Sequence, residues 1–262
     1  MEFLHTFYTY FLLSMAILAV IIFVLLQFIT PAYGMTYNKR WGMSVDNKWG
    51  WMIMESPIFV SMFVLYWYSM NTGIKPFNLV TLIIFVFFQF HYFQRSLIFP
   101  LLMKGTSKMP ISIISLGMFF NFCNVFMQGG WLFFFSPENY YTIAWLWSPQ
   151  FIIGTILFFT GMVINIHSDR VIRSLRKDKN DMNYYIPKWG LFKYINSSNY
   201  FGEILEWVGF AILSWSWAGV VFVLWTFANI VPRSKAVYER YTQFFGKEFT
   251  DMKRYKMFPY IY

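Results

Sequence analysis

Across 262 residues the chain is 58% hydrophobic and 24% aromatic, with only 13% charged residues and a net charge of +9. That balance excludes a soluble globular domain of this length and places the chain among multi-pass helical membrane proteins. The positive charge follows from membrane topology and calls for no nucleic-acid partner, although a basic surface also attracts anionic lipid.

Apolar runs predict spans at roughly 8–30, 51–71, 76–103, 110–135 and 146–168, followed by an apolar block from about 203 to 231. The first run is too long for a signal-peptide core and lacks a small-residue cleavage site, so it is expected to be retained. Loop 31–50 carries Lys39, Arg40 and Lys48, loop 104–109 carries Lys104 and Lys108, and segments 168–203 and 232–262 carry seven Lys or Arg each. These belong in the cytosol, which puts the N-terminus outside. Because both long basic segments share one side, block 203–231 must cross twice or fold back as a re-entrant hairpin. A break near Ser214-Trp215-Ser216-Trp217-Ala218-Gly219 then gives seven transmembrane helices, the last running past Pro232 into a cytosolic C-terminus.

The second span contains Met54-Glu55-Ser56-Pro57. An acid at that depth is costly unless it is paired, placed at headgroup level or functional. The third span holds Gln89, His91, Tyr92, Gln94 and Arg95, a density that lipid-facing helices do not tolerate, so these side chains must line a cavity or pair internally. In the fourth, Asn121, Asn124 and Gln128 at i, i+3 and i+7 share one face, either as interhelical bonds or as part of that cavity. Aromatic residues and methionines crowd spans two to four (Trp51, Met52, Phe59, Phe63, Trp67, Phe87, Phe88, Phe119, Phe120, Met127), as lipid-facing packing or as walls for a rigid apolar ring system.

At the end of the fifth span, Asn165, Asp169, Arg173 and Arg176 fall at i, i+4, i+8 and i+11, one polar stripe leaving the bilayer. Two guanidiniums suit phosphate oxygens, and Asn and Asp suit amide or ribose hydroxyl groups; the same charges also serve as a positive-inside anchor. The single Cys123 excludes an intramolecular disulfide, and His5, His91 and His167 are too scattered for zinc, so no metal site is expected. Glycine-rich nucleotide loops and the Gly-x-Ser-x-Gly elbow are absent. What remains is an intramembrane chamber with an acid, a phenol and a guanidinium beneath a basic cytosolic loop. A phenol bonded to a protonated Glu55 can donate to a ketone oxygen and stabilise the enolate that forms when hydride adds to a conjugated enone. That is a reductase design.

At Met54-Glu55-Ser56-Pro57, His91-Tyr92-Phe93-Gln94-Arg95, Asn165-Ile166-His167-Ser168-Asp169 with Leu175-Arg176-Lys177, Tyr184-Tyr185-Ile186-Pro187 with Gly190-Leu191-Phe192, and Asn199-Tyr200-Phe201-Gly202-Glu203-Ile204-Leu205-Glu206-Trp207, the chain resembles the steroid 5α-reductase family. The resemblance runs in order through nearly the whole chain. It implies an all-α, seven-helix membrane domain spanning 1–262, with about 1–135 on the substrate side and about 146–262 on the cofactor side. It implies NADPH-dependent reduction of the C4–C5 double bond of 3-oxo-Δ4-steroids to 5α products.

Residue by residue, the resemblance makes Glu55 and Tyr92 the catalytic pair that holds the 3-ketone and puts Arg95 near the approaching cofactor. Asn165, Asp169, Arg176, Tyr184, Asn199 and Glu203 match NADPH contacts, with Arg173 on the same stripe. Arg233 and Tyr241 match further contacts, although Ala236-Val237-Tyr238-Glu239-Arg240 replaces a His-rich family segment between them. Met103-Lys104-Gly105-Thr106 replaces a family Asn and Arg near a Gly, leaving Lys104 or Lys108 to supply the charge, and Tyr185 stands where the family has Arg. The sequon Asn196-Ser197-Ser198 falls in a cytosolic loop and is expected to be unused.

The implied partners are a lipophilic steroid and membrane lipid, in the endoplasmic reticulum of a eukaryote or the inner membrane of a bacterium; the sequence does not set the oligomeric state, and a monomer is compatible with it. Rival readings are a reductase of a polyprenal or an enoyl thioester, an isoprenylcysteine-type methyltransferase, for which the Glu55 and Tyr92 pair is not required, and a silent sterol-binding protein.

Overall fold

The computed structural model describes residues 2–30, 34–178, 180–181 and 183–262. Its long helices are α1 (Glu2–Leu25), α2 (Asn47–Thr72) and α3 (Leu79–Phe93), which continues through a π-helical turn (Gln94–Ile98) into α4 (Phe99–Leu102). Then follow α5 (Ile111–Gly130) with a π turn at Trp131–Phe135, α6 (Pro149–Ser174), α7 (Ser198–Ser214), α8 (Trp217–Phe245) and the short α9 (Lys247–Thr250). Among the described residues, six helices are long and apolar enough to cross a membrane, and α7 has only 17 residues. Relative to the predicted spans, α1 starts and ends earlier, because its apolar run is helical from Glu2 and stops at Leu25. The sixth block starts at Ser198 instead of near 203.

The predicted break within that block is present. α7 stops at Ser214, Trp215 takes a left-handed conformation (φ 45°), and the Ser216 side chain caps α8 by accepting from the Gly219 N–H. The last carbonyls of α7 are clasped from the α5–α6 loop. Tyr141 donates to Ser214 O (2.5 Å), Tyr140 to Trp215 O (2.7 Å) and Trp145 Nε1 to Leu213 O (3.0 Å). A helix end in an apolar setting needs such partners. α8 then runs on past Pro232, as expected.

Two devices set the depth of the polar side chains. A small antiparallel ladder pairs β1 (Ser44–Asp46) with β2 (Lys108–Pro110) in the register Ser44↔Pro110, Val45↔Met109 and Asp46↔Lys108. It fastens the N-termini of α2 and α5 side by side. Glu55 and Asn121 then lie about 12 Å and about 15 Å along their helices, at 1.5 Å per residue, and meet. On the other side, α6 and α7 touch backbone to backbone. A Cβ at Gly161 would strike Glu206 N and Gly202 O, and one at Gly202 would lie 2.6 Å from Asn165 N. Small residues at such crossings allow the close approach that membrane helices use in place of a hydrophobic drive.

The core lies where α3, α6 and α7 meet, around Phe88, Phe158, Trp207 and Phe210, while Phe3, Phe7, Phe63, Trp67 and Val163 are exposed on the outside. Apolar side chains on both surfaces are what a bundle in lipid requires. The basic loops are tied by the tail. Asn196 N–H donates to Tyr255 O (2.8 Å), Ser197 N–H to Lys256 O (3.0 Å) and Arg254 Nη1 to Pro187 O (2.7 Å). Asn196 is only 4% exposed in the folded chain.

Candidate active site

A cavity of about 440 Å³ opens between α1, α2, α3, α5, α7 and α8. Its polar lining includes Glu55, His91, Tyr92, Arg95, Asn121, Glu203 and Arg233, set in walls of Met, Leu, Ile, Phe and Trp. Of the aromatic and methionine wall residues expected from sequence, Trp51, Phe119 and Phe120 line it. Phe88 and Met127 are instead core residues, and Phe63 and Trp67 face outward. Crowding along a span does not specify which helix face turns inward. Cys123 also lines the cavity.

Each polar side chain has an identifiable support. Asn121 Nδ2 donates to Met54 O (2.7 Å) and to Glu55 Oε2 (3.2 Å). Asn124 Nδ2 donates to the Tyr92 hydroxyl oxygen (3.1 Å), and Gln128 Nε2 donates to Asn124 Oδ1 (3.3 Å) and Ala218 O (2.9 Å). The asparagine stripe of α5 is therefore both interhelical bonding and the frame of the site. Among the described residues no hydrogen bond joins Glu55 directly to Tyr92. The two share the cavity, each oriented by its own asparagine, so the direct carboxyl–phenol bond expected from sequence is absent in this conformation. Because Asn124 donates to the phenol oxygen, the Tyr92 O–H proton remains free for a ligand.

The third-helix residues that lipid would not tolerate find partners. Gln89 Nε2 donates to Phe59 O (2.9 Å), and His91 Nδ1 lies 2.7 Å from Glu206 Oε1, with both side chains buried. Arg95 sits on the π turn, where Pro100 has no N–H to return to Ser96 and the helix ladder widens just ahead of it. Its guanidinium lies 4.5 Å from the ring centroids of Trp51 and Phe99, and its Nη atoms are 3.5 Å from Asp169 Oδ2 and 3.6 Å from Glu203 Oε2. Arg95 thus bridges the cavity to the α6–α7 pair.

On that pair, Asn165 Nδ2 donates to Asn199 O (3.0 Å) and Glu203 Oε2 (3.4 Å), and Asn199 Nδ2 donates to Asp169 Oδ1 (3.3 Å). Two i, i+4 pairs, one on α6 and one on α7, form one cluster, set by the Gly161–Gly202 crossing. Two buried polar atoms there, Asp169 Oδ2 and Arg173 Nη1, have no hydrogen-bond partner, which suits a polar ligand entering the cluster.

Arg176 departs from the expected stripe. α6 ends at Ser174, so Arg176 lies beyond the helix, its Nη1 donating to Lys104 O while Lys104 Nζ donates to Arg176 O (2.8 Å). A side chain at Gly105 would collide with that guanidinium. Lys104 therefore acts as a clasp on Arg176. Next to it, Asp181 accepts from Lys177 N–H, Asn183 N–H and the Tyr185 hydroxyl, each at 3.0 Å, which holds its carboxyl down at about 2.

Of the tail and loop residues, Arg233 Nε donates to Tyr200 Oη (2.7 Å) and both line the cavity, which brings Arg233 into the site. Tyr241, on α8, donates to Tyr185 O (3.2 Å), and Tyr184 packs edge-on against Phe244; neither lines the cavity. Glu206 went unrecognised as a site residue in the sequence. Its partner His91 is 115 positions away, and only two acids on one face of α7 hinted at a second role. Among the described residues no group of three or more His, Cys, Asp or Glu side chains could hold a metal ion.

Fold and site together define a helical membrane protein whose internal apolar chamber presents a phenol and a carboxyl group beside a polar cluster that opens toward basic loops. A family model described as 3-oxo-5-alpha-steroid 4-dehydrogenase matches residues 107–262. The chain is 35% identical to the steroid 5-alpha-reductase DET2 of Arabidopsis thaliana, over 98% of this chain and 97% of that protein. It is 35% identical to 3-oxo-5-alpha-steroid 4-dehydrogenase 1 of Rattus norvegicus, over 90% and 88%, and 37% identical to the Homo sapiens protein of that name, over 78% and 76%. The chain belongs to the steroid 5α-reductase family.

Proposed function

We propose that this protein reduces the C4–C5 double bond of 3-oxo-Δ4-steroids to the 5α-dihydro products, using NADPH. The supporting observation is that one cavity contains Glu55 and Tyr92 together with Arg95, Glu203 and Arg233, so the residues expected for ketone and for cofactor open onto a single space. Asn165, Asp169, Asn199 and Glu203, with Arg173, Arg233 and the outer Arg176, Tyr184 and Tyr241, would hold the nicotinamide nucleotide. Bound there, it supplies the hydride.

The chain's own residues do the rest. Tyr92, held by Asn124, donates its O–H to the 3-ketone, and Glu55, held by Asn121 and carrying a proton, donates from its carboxyl group to the same oxygen as negative charge develops there. The aromatic and aliphatic walls exclude water and align a rigid apolar ring system. In this reading helices α1, α2, α3–α4, α5, α6, α7 and α8 all cross, with the N-terminus outside and the basic loops and tail in the cytosol. Helices α1 to α5 form the substrate side, and α6 to α8 the cofactor side.

The test is NADPH oxidation by detergent-purified protein with testosterone or progesterone, with the product identified by mass and ring-junction stereochemistry. Glu55→Gln and Tyr92→Phe are expected to lower kcat by roughly 10²-fold or more, in line with the loss of one oxyanion donor. Unchanged turnover in Tyr92→Phe would overturn the catalytic assignment. Reduction of a polyprenal or an enoyl thioester in place of both steroids would overturn the substrate.

A further inference from the structure

Reducing an enone takes a hydride and a proton. Hydride adds at C5 and the electron pair moves to the ketone oxygen as an enolate with a C3–C4 double bond; the saturated ketone forms only when C4 gains a proton. Tyr92 and Glu55 face the oxygen and cannot also supply carbon two bonds away. The cavity walls are mostly apolar and offer few partners to a water molecule. A separate acid is needed at the cavity surface.

His91 meets that need by position. It is the neighbour of Tyr92 on α3 and lines the same cavity, with its ring edge-on to Tyr92 (centroids 4.9 Å) and to Trp207 (4.5 Å). Its Nδ1 is taken by Glu206 Oε1 at 2.7 Å, which leaves Nε2 as the ring atom available to the cavity. The carboxyl group on Nδ1 fixes the orientation of the ring, and an imidazolium–carboxylate pair would add no net charge to an apolar interior. The ionisable groups around the pair are Tyr92 and Arg95 on α3, Glu55 on α2, and Glu203 on α7.

Resting on the reductase reading above, we propose that His91 is the acid that protonates C4 of the substrate, and that Glu206 is its positioning residue. The enolate collapses to the C3 ketone, a C4–H bond forms, and the Nε2–H bond of the imidazolium breaks. Neutral His91 is left donating through Nδ1 to the Glu206 carboxylate, and a proton from solvent restores the imidazolium. One hydride and one proton are consumed per turnover.

By microscopic reversibility the same group removes a C4 proton from the saturated product, and this step can be followed without hydride transfer. A 3-oxo-5α-steroid is incubated with wild-type enzyme and oxidised cofactor in D2O, and deuterium is located by NMR and mass spectrometry. Wild type is expected to exchange C4 well above the solvent background, with C2, the other carbon beside the ketone, as internal control. Glu206→Gln and His91→Gln are expected to slow C4 exchange by roughly 10²-fold, the size of a general-acid contribution, while steroid affinity stays within about twofold. Glu206→Asp, which keeps the charge, is expected to restore part of the exchange and covers the case in which Glu206→Gln does not fold.

Equal exchange in the variants, or loss of exchange that only tracks loss of steroid binding, overturns the proposal. Wild-type enzyme that reduces an enone yet exchanges no C4 hydrogen overturns the His91 role alone. Wild-type enzyme that neither reduces nor exchanges overturns the reductase reading with it.

Discussion

The use Tyr92 can make of its hydroxyl is settled by Asn124, which donates to the phenol oxygen at 3.1 Å and so commits the proton elsewhere. Replacing Asn124 by Leu removes that donor and leaves Gln128 without its Asn124 contact. Steady-state kinetics on the variant should show kcat lowered by roughly fivefold, corresponding to about 1 kcal/mol for one hydrogen bond, with NADPH affinity unchanged. Asp181 governs the basic loop after α6 in a different way. Its carboxyl is held at about 2 by two backbone N–H groups and the Tyr185 hydroxyl. The folded value lies below the ordinary one, so its contribution to loop order is complete above pH 4 and is lost as pH falls toward 2. Amide exchange of Lys177 and Asn183 should accelerate over that window in wild type and be fast at every pH in Asp181→Ala. Glu55 and Tyr92 were legible from sequence because an acid and a phenol inside a span demand a reason. The asparagines that separately orient them were legible as a stripe, but a stripe alone does not distinguish a helix contact from a frame for a phenol.

Helix pairs carry the next level of organisation, and α6 against α7 carries most of it. The contact at Gly161 and Gly202 sets Asn165 against Asn199 and Glu203, so the polar cluster exists only at this helix separation. Gly161→Leu must push α7 away. The expected cost is about 1–3 kcal/mol of overpacking, seen as a lower midpoint of thermal unfolding, together with a larger loss of NADPH affinity than of steroid affinity. Gly42→Ala, at a position with open space but a left-handed φ of 93°, should lower the unfolding midpoint without that selective effect on the cofactor. The break at Trp215 was readable from charge parity, since two basic segments on one side require two passes between them. The π turn beneath Arg95 was not readable, because Pro100 announces a disturbance in the ladder without saying whether it will be a kink, a stop or a wide turn. The place of Arg176 on the helical stripe was misjudged for a similar reason. Helical spacing extends a stripe indefinitely on paper, whereas α6 stops at Ser174 and the next residues turn toward Lys104.

For the whole molecule, the decisive relation is between the cavity and the two sides of the membrane. The polar cluster, the Arg176 clasp and the tail pairings at Asn196 and Ser197 all lie at one end of the bundle, with the N-terminus of α2, the C-terminus of α6 and the N-terminus of α7. That end carries the Lys and Arg excess, while the opposite end presents Lys75 and the aromatic clasp on Ser214 and Trp215. Charge bias of this kind fixes orientation, so the reductase reading requires the basic end to be cytosolic, where NADPH is available. Reporter fusions in a bacterial host test this directly. Green fluorescent protein joined after Tyr262 is expected to fluoresce, and alkaline phosphatase joined within the loop at Glu138-Asn139 is expected to be active. The reverse pattern would place the polar cluster outside the cell and remove its access to cytosolic NADPH. Active phosphatase in the loop with no fluorescence after Tyr262, and phosphatase activity when that enzyme replaces the fluorescent protein there, would mean that α7 and α8 form a single crossing, contrary to the observed break at Trp215 and to the parity that predicted it.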